Sequence, residues 1–178
     1  MRVERRTKEV GIVAQLAGEE QRVETGDVVL DHLLTSLFFY MEKGVEINAT
    51  WDLRHHLWED MGLVLGALLS DAFKEQKLSR FGHAIIPMDD ALVLVSVDLS
   101  RAYLSFELDF ANEEGFELSL VREFFHALSR SLPATIHVKK LAGFNPHHLC
   151  EAAFKALGIS LRDATKPSSR VESTKGDI

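Results

Sequence analysis

The chain has 178 residues, of which 46% are hydrophobic, and it carries a formal net charge of −7. This length fits one domain or two fused half-domains of about ninety residues, and the hydrophobic content is enough for a buried core. The acidic balance, with no basic stripe, argues against a nucleic-acid partner, because phosphate backbones are bound by clustered Lys and Arg.

Cysteine usage and the first residues predict a cytoplasmic protein. The single cysteine, Cys150, cannot form an internal disulfide, which favours the reducing cytosol. The N-terminus has no apolar segment typical of a signal peptide, and no stretch reaches the roughly eighteen apolar residues of a membrane span. We therefore expect no membrane association.

The first half of the chain predicts strands and helices in alternation. Apolar residues alternate with polar ones over 2–16, as in a strand, and a turn follows at Gly18. A small-residue stripe through Gly62, Gly66 and Ala67 predicts a helix that another element approaches closely. The predicted elements are strands at 2–16, 21–25 and 44–51 and helices at 28–41 and about 55–75.

The second half repeats much of this pattern. Residues 91–98 are strongly β in character, and 102–110 alternate as their partner strand, with Ser100-Arg101 at the turn between them. No strand or helix is predicted for residues 77–90. The remaining predicted elements are a strand at 134–140 and helices at 117–131 and about 147–165.

A short motif occurs at equivalent places in the two halves. His55-His56-Leu57-Trp58-Glu59 is followed 92 residues later by His147-His148-Leu149-Cys150-Glu151, and the segments 55–72 and 147–164 agree at nine of eighteen positions. A repeat of this length is too long for a solenoid unit. It predicts an α+β fold of internally duplicated half-domains, each a sheet covered by helices. The predicted boundaries are 1–84, 85–165 and a loose polar tail at 166–178.

The spacing inside each HHxxE motif is that of metal ligands on a helix. Residues four apart share a face, so His55 and Glu59 can hold one ion, while His56 points about 100° away, toward a second. Imidazole nitrogen combined with carboxylate oxygen favours Mn, Fe, Zn or Ni over Mg or Ca. A single copy could be a helix start with surface histidines, but two copies at matching places favour metal binding.

Each half offers one further ligand position upstream of its motif. His32, in a largely apolar helix, precedes the first motif by 23 residues, and its equivalent in the second half is Glu123, 24 residues before His147. His126, one turn from Glu123, is a competing candidate. A lone histidine in such a helix is more often a core residue or an exposed one, so only the duplication favours ligation.

Other residues could bind an anion. Arg80 lies beside an aromatic residue and a glycine, as anion-gripping arginines often do, although it could be an ordinary surface arginine. Ser173-Thr174-Lys175-Gly176 could form a phosphate-binding nest or belong to a disordered tail. Glu9 lies on the opposite phase to the apolar residues of its strand, which by itself indicates an exposed carboxylate.

In this order, the motifs resemble the imidazoleglycerol-phosphate dehydratase family of histidine biosynthesis, nearly end to end. Besides the two HHxxE motifs, the segments that carry the resemblance are Arg6-Thr7-Lys8-Glu9, Glu24-Thr25-Gly26, Leu30-Asp31-His32, Arg80-Phe81-Gly82, Pro87-Met88-Asp89-Asp90-Ala91-Leu92, Asp98-Leu99-Ser100-Arg101, Gly143-Phe144-Asn145, Phe154-Lys155-Ala156 and Ser173-Thr174-Lys175-Gly176.

The resemblance implies a site, a fold and an assembly. It implies a ribosomal protein S5 domain 2-like fold, two Mn²⁺ ions per active site, and trimer-based homo-oligomers, such as a 24-mer, with active sites at subunit interfaces. The implied metal ligands are His32, His55, His56, Glu59, Glu123, His147, His148 and Glu151. The implied substrate-binding residues are Glu9, Arg80, Arg101, Lys155, Ser173 and Lys175, and the implied catalytic residues are Glu9, His55, Glu59, His147 and Glu151.

The implied reaction converts D-erythro-imidazole glycerol phosphate to imidazole acetol phosphate. The C–H bond to be broken lies next to an imidazole and is not acidic in water, so two ions that hold the ring as imidazolate would supply the missing stabilisation. Loss of the C2 proton and the C3 hydroxyl can then run through a diazafulvene-like species to an enol. A carboxylate in reach, which we expect to be Glu9, would serve as general acid or base.

Several positions depart from the family pattern. Glu123 replaces a histidine, Ser36 and Tyr40 replace a glutamine and a histidine, Leu57 replaces a threonine, and the segment before Arg101 is one glycine short. These departures keep open a diverged relative in which the metal scaffold is structural or serves a different phosphorylated substrate. A metallohydrolase is a weaker alternative, permitted by two bridging ions.

Overall fold

Two four-stranded sheets with the same topology form the chain. A computed structural model describes residues 1–174. The strand order is β1-β2-β4-β3 in the first sheet and β5-β6-β8-β7 in the second. The strands are β1 Arg2–Arg6, β2 Val10–Leu16, β3 Gln21–Glu24, β4 Val45–Trp51, β5 Phe81–Met88, β6 Ala91–Asp98, β7 Tyr103–Glu107 and β8 Thr135–Ala142, and the helices are α1 Val28–Met41, α2 Arg54–Phe73, α3 Leu118–Ser131 and α4 Pro146–Ala164.

The matching topologies confirm the predicted α+β fold of duplicated half-domains. In each sheet the third strand pairs in parallel with the last one, and the other pairs are antiparallel. Strand β5 spans Phe81–Met88, so residue 84 lies within it, and the division of the chain at residues 84 and 165 stays a prediction.

Two strand predictions were wrong in detail, and one strand was not predicted. Residues 2–16 form a hairpin of two strands, because the chain turns at Thr7, whose hydroxyl accepts hydrogen bonds from the N–H groups of Glu9 and Val10. Residues 77–90, for which no element is predicted, contain strand β5. Strand β7 pairs in parallel with β8 and not with β6, whose partners are β5 and β8. Alternation finds a strand, but it does not identify the neighbour.

Helices from different halves pack against each other in pairs. Helix α1 lies against α4 and helix α2 against α3. The glycine shared by the two repeat copies creates each contact: a Cβ on Gly66 would lie 2.5 Å from Ser131 Cβ in α3, and one on Gly158 would lie 2.3 Å from the Leu37 carbonyl oxygen in α1. The predicted close approach at Gly62 and Gly66 is therefore confirmed. Within residues 1–174, no helix is both long and apolar enough to cross a membrane.

A buried carboxylate joins the beginnings of three helices. Asp27 caps α1 by accepting hydrogen bonds from the N–H groups of Val29 and Leu30. It also accepts from Trp58 Nε1 at 2.9 Å and Arg54 Nε at 2.8 Å, both in α2. Arg54 continues to the Glu117 carboxylate at the start of α3. One ion-pair network thus fixes the N-terminal ends of α1, α2 and α3.

The close contact at Gly158 yields a stability prediction. Gly158→Ala should lower the free energy of unfolding by about 2 kcal/mol, because the added methyl group meets backbone atoms of α1 that cannot move independently. The better helix propensity of alanine offsets only part of this loss. Urea unfolding of the metal-free protein measures the change.

The control for this prediction is Asp71→Ala at an exposed position of α2, which should change the unfolding free energy by no more than about 0.5 kcal/mol. Equal stability of Gly158→Ala and the wild type would show that the helix pair can relax around the added methyl group.

Candidate functional site

Three side chains from the two halves converge at one point. His32 of α1 and His147 and Glu151 of α4 place their ligating atoms within 4.8 Å of one another. Glu151 Oε2 lies 3.1 Å from His32 Nε2 and 3.0 Å from His147 Nε2, and the two nitrogens are 3.4 Å apart. Ligands at about 2.1 Å from an ion and at near right angles are separated by about 3 Å. This arrangement therefore suits a divalent transition metal.

The local sequence explains why the second motif begins where it does. Pro146 occupies the first helical position of α4, and the Asn145 side chain caps the helix by accepting the His148 N–H. Gly143 has φ = 110° and approaches Ala91 so closely that a Cβ would lie 2.7 Å from its Cα. Only glycine fits this turn, which delivers both histidines to the start of the helix.

Lys155 binds the carboxylate of Glu151, which with His32 and His147 forms the ligand group. Its ammonium lies 2.8 Å from Glu151 Oε1 and 5.5 Å from the ring centre of Tyr40. Burial by itself raises the pKa of Glu151, but hydrogen bonds from Lys155 and His32 outweigh it and hold that pKa below its usual value. The carboxylate is thus ionised and ready to ligate, and Lys155, expected from the resemblance to bind substrate, directly contacts a candidate metal ligand.

The second histidine of each motif is held in the same way by a different aspartate. His56 Nδ1 lies 2.7 Å from Asp52 Oδ1, and His148 Nδ1 lies 2.6 Å from Asp90 Oδ1. A hydrogen bond at Nδ1 leaves Nε2 as the ligating nitrogen. In His148 this atom lies 3.3 Å from Asp89 Oδ2. The hydrogen bond to Asp52 also raises the pKa of His56.

These two aspartates were not assigned roles from the sequence. Asp52 sits one turn before His56, at the i,i+4 distance that a pattern search could have found. Asp90 lies at the β5–β6 turn, and it also accepts hydrogen bonds from the N–H groups of Phe144 and Asn145. Together with His148, these donors hold the pKa of Asp90 well below its usual range. Its partnership with His148 depends on tertiary structure.

The first motif does not form an equally compact group. His55 Nε2 lies 3.8 Å from Glu59 Oε2, so these two can share an ion as predicted. On the neighbouring helix α3, Glu123 and His126 form an i,i+3 pair at 3.9 Å. Within residues 1–174, only His32, His147 and Glu151 form a group of three His, Cys, Asp or Glu side chains whose ligating atoms lie close enough together to hold one ion. Both Glu123 and His126 therefore remain candidates.

Glu9 lies beside the first motif. It occupies the β1–β2 turn, where its backbone carbonyl accepts the Asp52 N–H at 3.1 Å. Its carboxylate oxygen Oε1 is 3.9 Å from His56 Nε2, and the side chain is exposed. Glu9 therefore projects near a candidate metal-binding nitrogen and is accessible to a bound molecule.

Two of the predicted anion-binding residues, Arg80 and Arg101, lie at one end of the second sheet, whereas Lys155 contacts Glu151. Arg80 forms a two-point contact with Asp98, at 2.6 and 3.1 Å, and donates to the Glu172 carbonyl at 2.8 Å, which holds the tail next to it. The hydrogen bond with Asp98 raises the pKa of Arg80. Arg101 is exposed and close enough to Asp98 to lower the pKa of that carboxyl. Ser173 follows Glu172 directly, whereas Lys175 lies outside the described residues.

Within one chain, this anion-binding end is far from the ligand group. The Arg80 N–H donates to the carbonyl of Ala164, at the C-terminal end of α4. His147 stands near the N-terminal end of the same helix, about 25 Å away at roughly 1.5 Å per residue. A small substrate cannot reach both ends of α4 in a single chain.

The aspartate contacts predict an effect on metal binding. Asp90→Asn should weaken metal binding by about tenfold, because the charge that fixes the tautomer and orientation of His148 is lost. Titration of the metal-free, full-length protein with Mn²⁺ measures the affinity. Asp109→Asn, at an exposed site paired with Lys140, is the control and should leave it unchanged. Equal affinities in the two variants would exclude an orienting role for Asp90.

Comparisons with known proteins match nearly the whole chain. A family model described as imidazoleglycerol-phosphate dehydratase matches residues 25–161. The chain is 55% identical over 174 residues to the imidazoleglycerol-phosphate dehydratase of Pyrococcus furiosus, which covers 97% of this chain and 98% of the relative, and 43% identical to that of Caldivirga maquilingensis, with 98% and 96% covered.

Solved structures show the same fold. A crystal structure of the Pyrococcus furiosus enzyme in complex with a ligand superposes with a TM-score of 0.94 at 53% identity, covering 99% of this chain and all of that one. The Staphylococcus aureus enzyme gives a TM-score of 0.83 at 34% identity, covering 94% of this chain and all of that one. The chain therefore belongs to the imidazoleglycerol-phosphate dehydratase family, the dehydratases of histidine biosynthesis.

Proposed function

We propose that this chain dehydrates D-erythro-imidazole glycerol phosphate to imidazole acetol phosphate, with two Mn²⁺ ions at each active site, in the cytoplasm. The observation that carries the proposal is the convergence of His32, His147 and Glu151 in a chain of the dehydratase family. Two imidazole nitrogens with one carboxylate oxygen are a donor set that Mn²⁺ accepts.

The duplication supports two metal groups of similar design. The first consists of His32, His147 and Glu151. The second consists of His55 and Glu59 on α2 with a ligand from α3, which is Glu123 in our proposal. Helix α3 packs closely on α2, since a Cβ on Gly62 would lie 2.5 Å from the Phe124 carbonyl. Glu123 directly precedes Phe124. A carboxylate at position 123 gives the second metal group a different charge from the first.

The remaining ligands are proposed to come from neighbouring subunits. His56 and His148 have Nδ1 bound to Asp52 and Asp90, and their Nε2 atoms do not join the cluster of three residues found within one chain. Each would complete a metal group of another copy. The separation of about 25 Å along α4 supports the same idea, because Arg80 could meet a substrate held at the group of His32, His147 and Glu151 only when that group belongs to a different chain.

The bound ions would supply a place for the negative charge of the substrate imidazolate. The protein residues would then do the rest. Glu9, exposed beside His56, is positioned to take or return a proton. His55, Glu59, His147 and Glu151 would act by holding the ions that orient the reacting ring. Arg80, Arg101, Lys155, Ser173 and Lys175 are proposed to bind the phosphate, for which Arg80 would exchange its contact with Asp98.

An apolar face on the second sheet supports self-association. The outer face of this sheet exposes Phe81, Ile85, Tyr103 and Leu141, with exposed fractions of 57, 52, 57 and 45%. The equivalent face of the first sheet carries Arg2, Glu4, Arg22, Glu46 and Asn48 instead. The two sheets are related by duplication, yet their outer faces differ. This difference indicates that only the outer face of the second sheet is covered, and we propose that another copy of this chain covers it. Trimer-based 24-mers are the assembly implied by the resemblance.

The activity proposal is tested by metal content and turnover. Purified protein should contain about two Mn²⁺ per chain after metal is added back, and it should form imidazole acetol phosphate. Two bound ions without turnover would favour a relative acting on a different phosphorylated substrate, for which the departures at Ser36, Tyr40 and Glu123 would be responsible. A protein that binds no metal after Mn²⁺ addition would contradict both HHxxE assignments.

Single-ligand variants test the site assignment. His147→Ala and Glu59→Ala should each lose about one Mn²⁺ per chain and at least a hundredfold in kcat/KM, because both ions are needed to hold the ring. Glu75→Ala, an exposed carboxylate after α2, is the control and should retain both metal and activity. Full activity of either ligand variant would exclude that residue from the site.

Matched variants of the two sheets test the assembly. Leu94→Glu in the middle of β6 places a charge on the outer face of the second sheet, and it should break the oligomer into smaller species because burying an unpaired charge is costly. Val13→Glu at the equivalent place in β2 should leave the oligomer intact. Sedimentation velocity measures both. Dissociation by Val13→Glu alone would assign the interface to the first sheet.

A further inference from the structure

The ring of Phe116 lies flat on the ring of His147. The centroids are 5.0 Å apart and the planes are inclined by only 19°, and Phe116 is almost completely buried. On its other side, His147 meets His32 edge-on, at 5.4 Å and 74°. A flat stack restricts rotation of the imidazole about its own side-chain bonds. It therefore keeps Nε2 aimed at Glu151 Oε2, 3.0 Å away.

A tight turn presents Phe116. Glu113 and Phe116 exchange backbone hydrogen bonds at 3.2 and 2.8 Å. Gly115 stands between them with φ = 84°, a conformation that favours glycine, and a Cβ there would lie 3.3 Å from Val29 at the start of α1. The turn is therefore fixed both by its own hydrogen bonds and by its contact with α1.

Arg54 anchors this turn to the first motif. Its Nη2 donates to the Gly115 carbonyl at 2.9 Å, its Nη1 to Glu117 Oε1 at 2.5 Å, and its Nε to Asp27 at 2.8 Å. Arg54 directly precedes His55. Arg54, the residue before His55, thus holds the turn that carries Phe116, and the Phe116 ring stacks on His147 of the second motif.

We propose that Phe116 is a positioning residue for His147 and that Arg54, by fixing the turn at 113–117, is the anchor for it. The proposal rests on the proposed function, because it assigns His147 to a metal group. Neither residue touches the reacting atoms. They hold the His147 ring in one orientation before the ion binds. The cost of ordering this ring therefore does not reduce the free energy of metal binding.

The expected effect is confined to one of the two metal groups. Phe116→Leu keeps an apolar side chain but removes the stacking surface, and it should weaken one of two Mn²⁺ sites by about tenfold, as loss of an orienting partner typically does. The other site should keep its affinity. Phe116→Tyr preserves the ring and should restore binding. Titration of the metal-free, full-length protein followed by the EPR signal of free Mn²⁺ measures both sites.

The matched control is Phe110→Leu, which makes the same change in a half-buried phenylalanine that packs on the core. Within residues 1–174, no ring contact joins Phe110 to a candidate ligand histidine. Thermal unfolding of all variants shows whether folding is retained. Equal loss of Mn²⁺ affinity in Phe110→Leu and Phe116→Leu would overturn the proposal, since general loosening of the core would then explain it.

A second readout needs no metal. In the metal-free protein, stacking on Phe116 should restrict the access of diethylpyrocarbonate to the ring nitrogens of His147, so Phe116→Leu should raise its modification rate several-fold, as resolved by mass spectrometry, while exposed His126 on α3 reacts unchanged. If the wild type binds no Mn²⁺, the metal assignment fails, and the His147 rate still decides whether Phe116 orients the ring. Unchanged rate and unchanged affinity in Phe116→Leu would each contradict the proposal.

Discussion

The ion pair between Asp27 and Arg54 is the constraint on which the arrangement of the site depends. Asp27 is 6% exposed, and burial by itself raises its pKa, but hydrogen bonds from Arg54, Trp58 and the start of α1 outweigh burial and lower that pKa. The interaction therefore contributes stability above the ordinary carboxyl pKa and loses it as the pH falls through the lowered value. Since the network joins the beginnings of α1, α2 and α3, it fixes the end of the molecule where the candidate ligands lie.

Duplication alone does not produce the ligand group, because the helices are paired across the halves. His32 belongs to the first half, while His147 and Glu151 belong to the second, and they meet because α1 packs on α4. Gly158 permits this approach, and its repeat equivalent Gly66 permits the approach of α3 to α2. The glycine that the two repeat copies share thus determines, by allowing close helix packing, which residues become neighbours in the site.

In each motif an aspartate orients the second histidine, but the two aspartates come from different parts of the fold. His56 is oriented by Asp52 on its own helix turn, whereas His148 is oriented by Asp90 from a β-turn more than fifty residues earlier. Neither histidine belongs to the group formed by His32, His147 and Glu151.

The sequence by itself determined the duplication, the α+β class, the helices that carry the HHxxE motifs and the candidate ligands on them, because periodicity and i,i+4 spacing are local properties. It could not assign the strand pairing, since alternation in 102–110 is compatible with any neighbour, and it missed β5. Only the tertiary structure decided that His32 joins the second motif and not the first, and that Asp90 and Phe116 support its histidines. These contacts depend on the packing of helices distant in sequence, which no local pattern encodes.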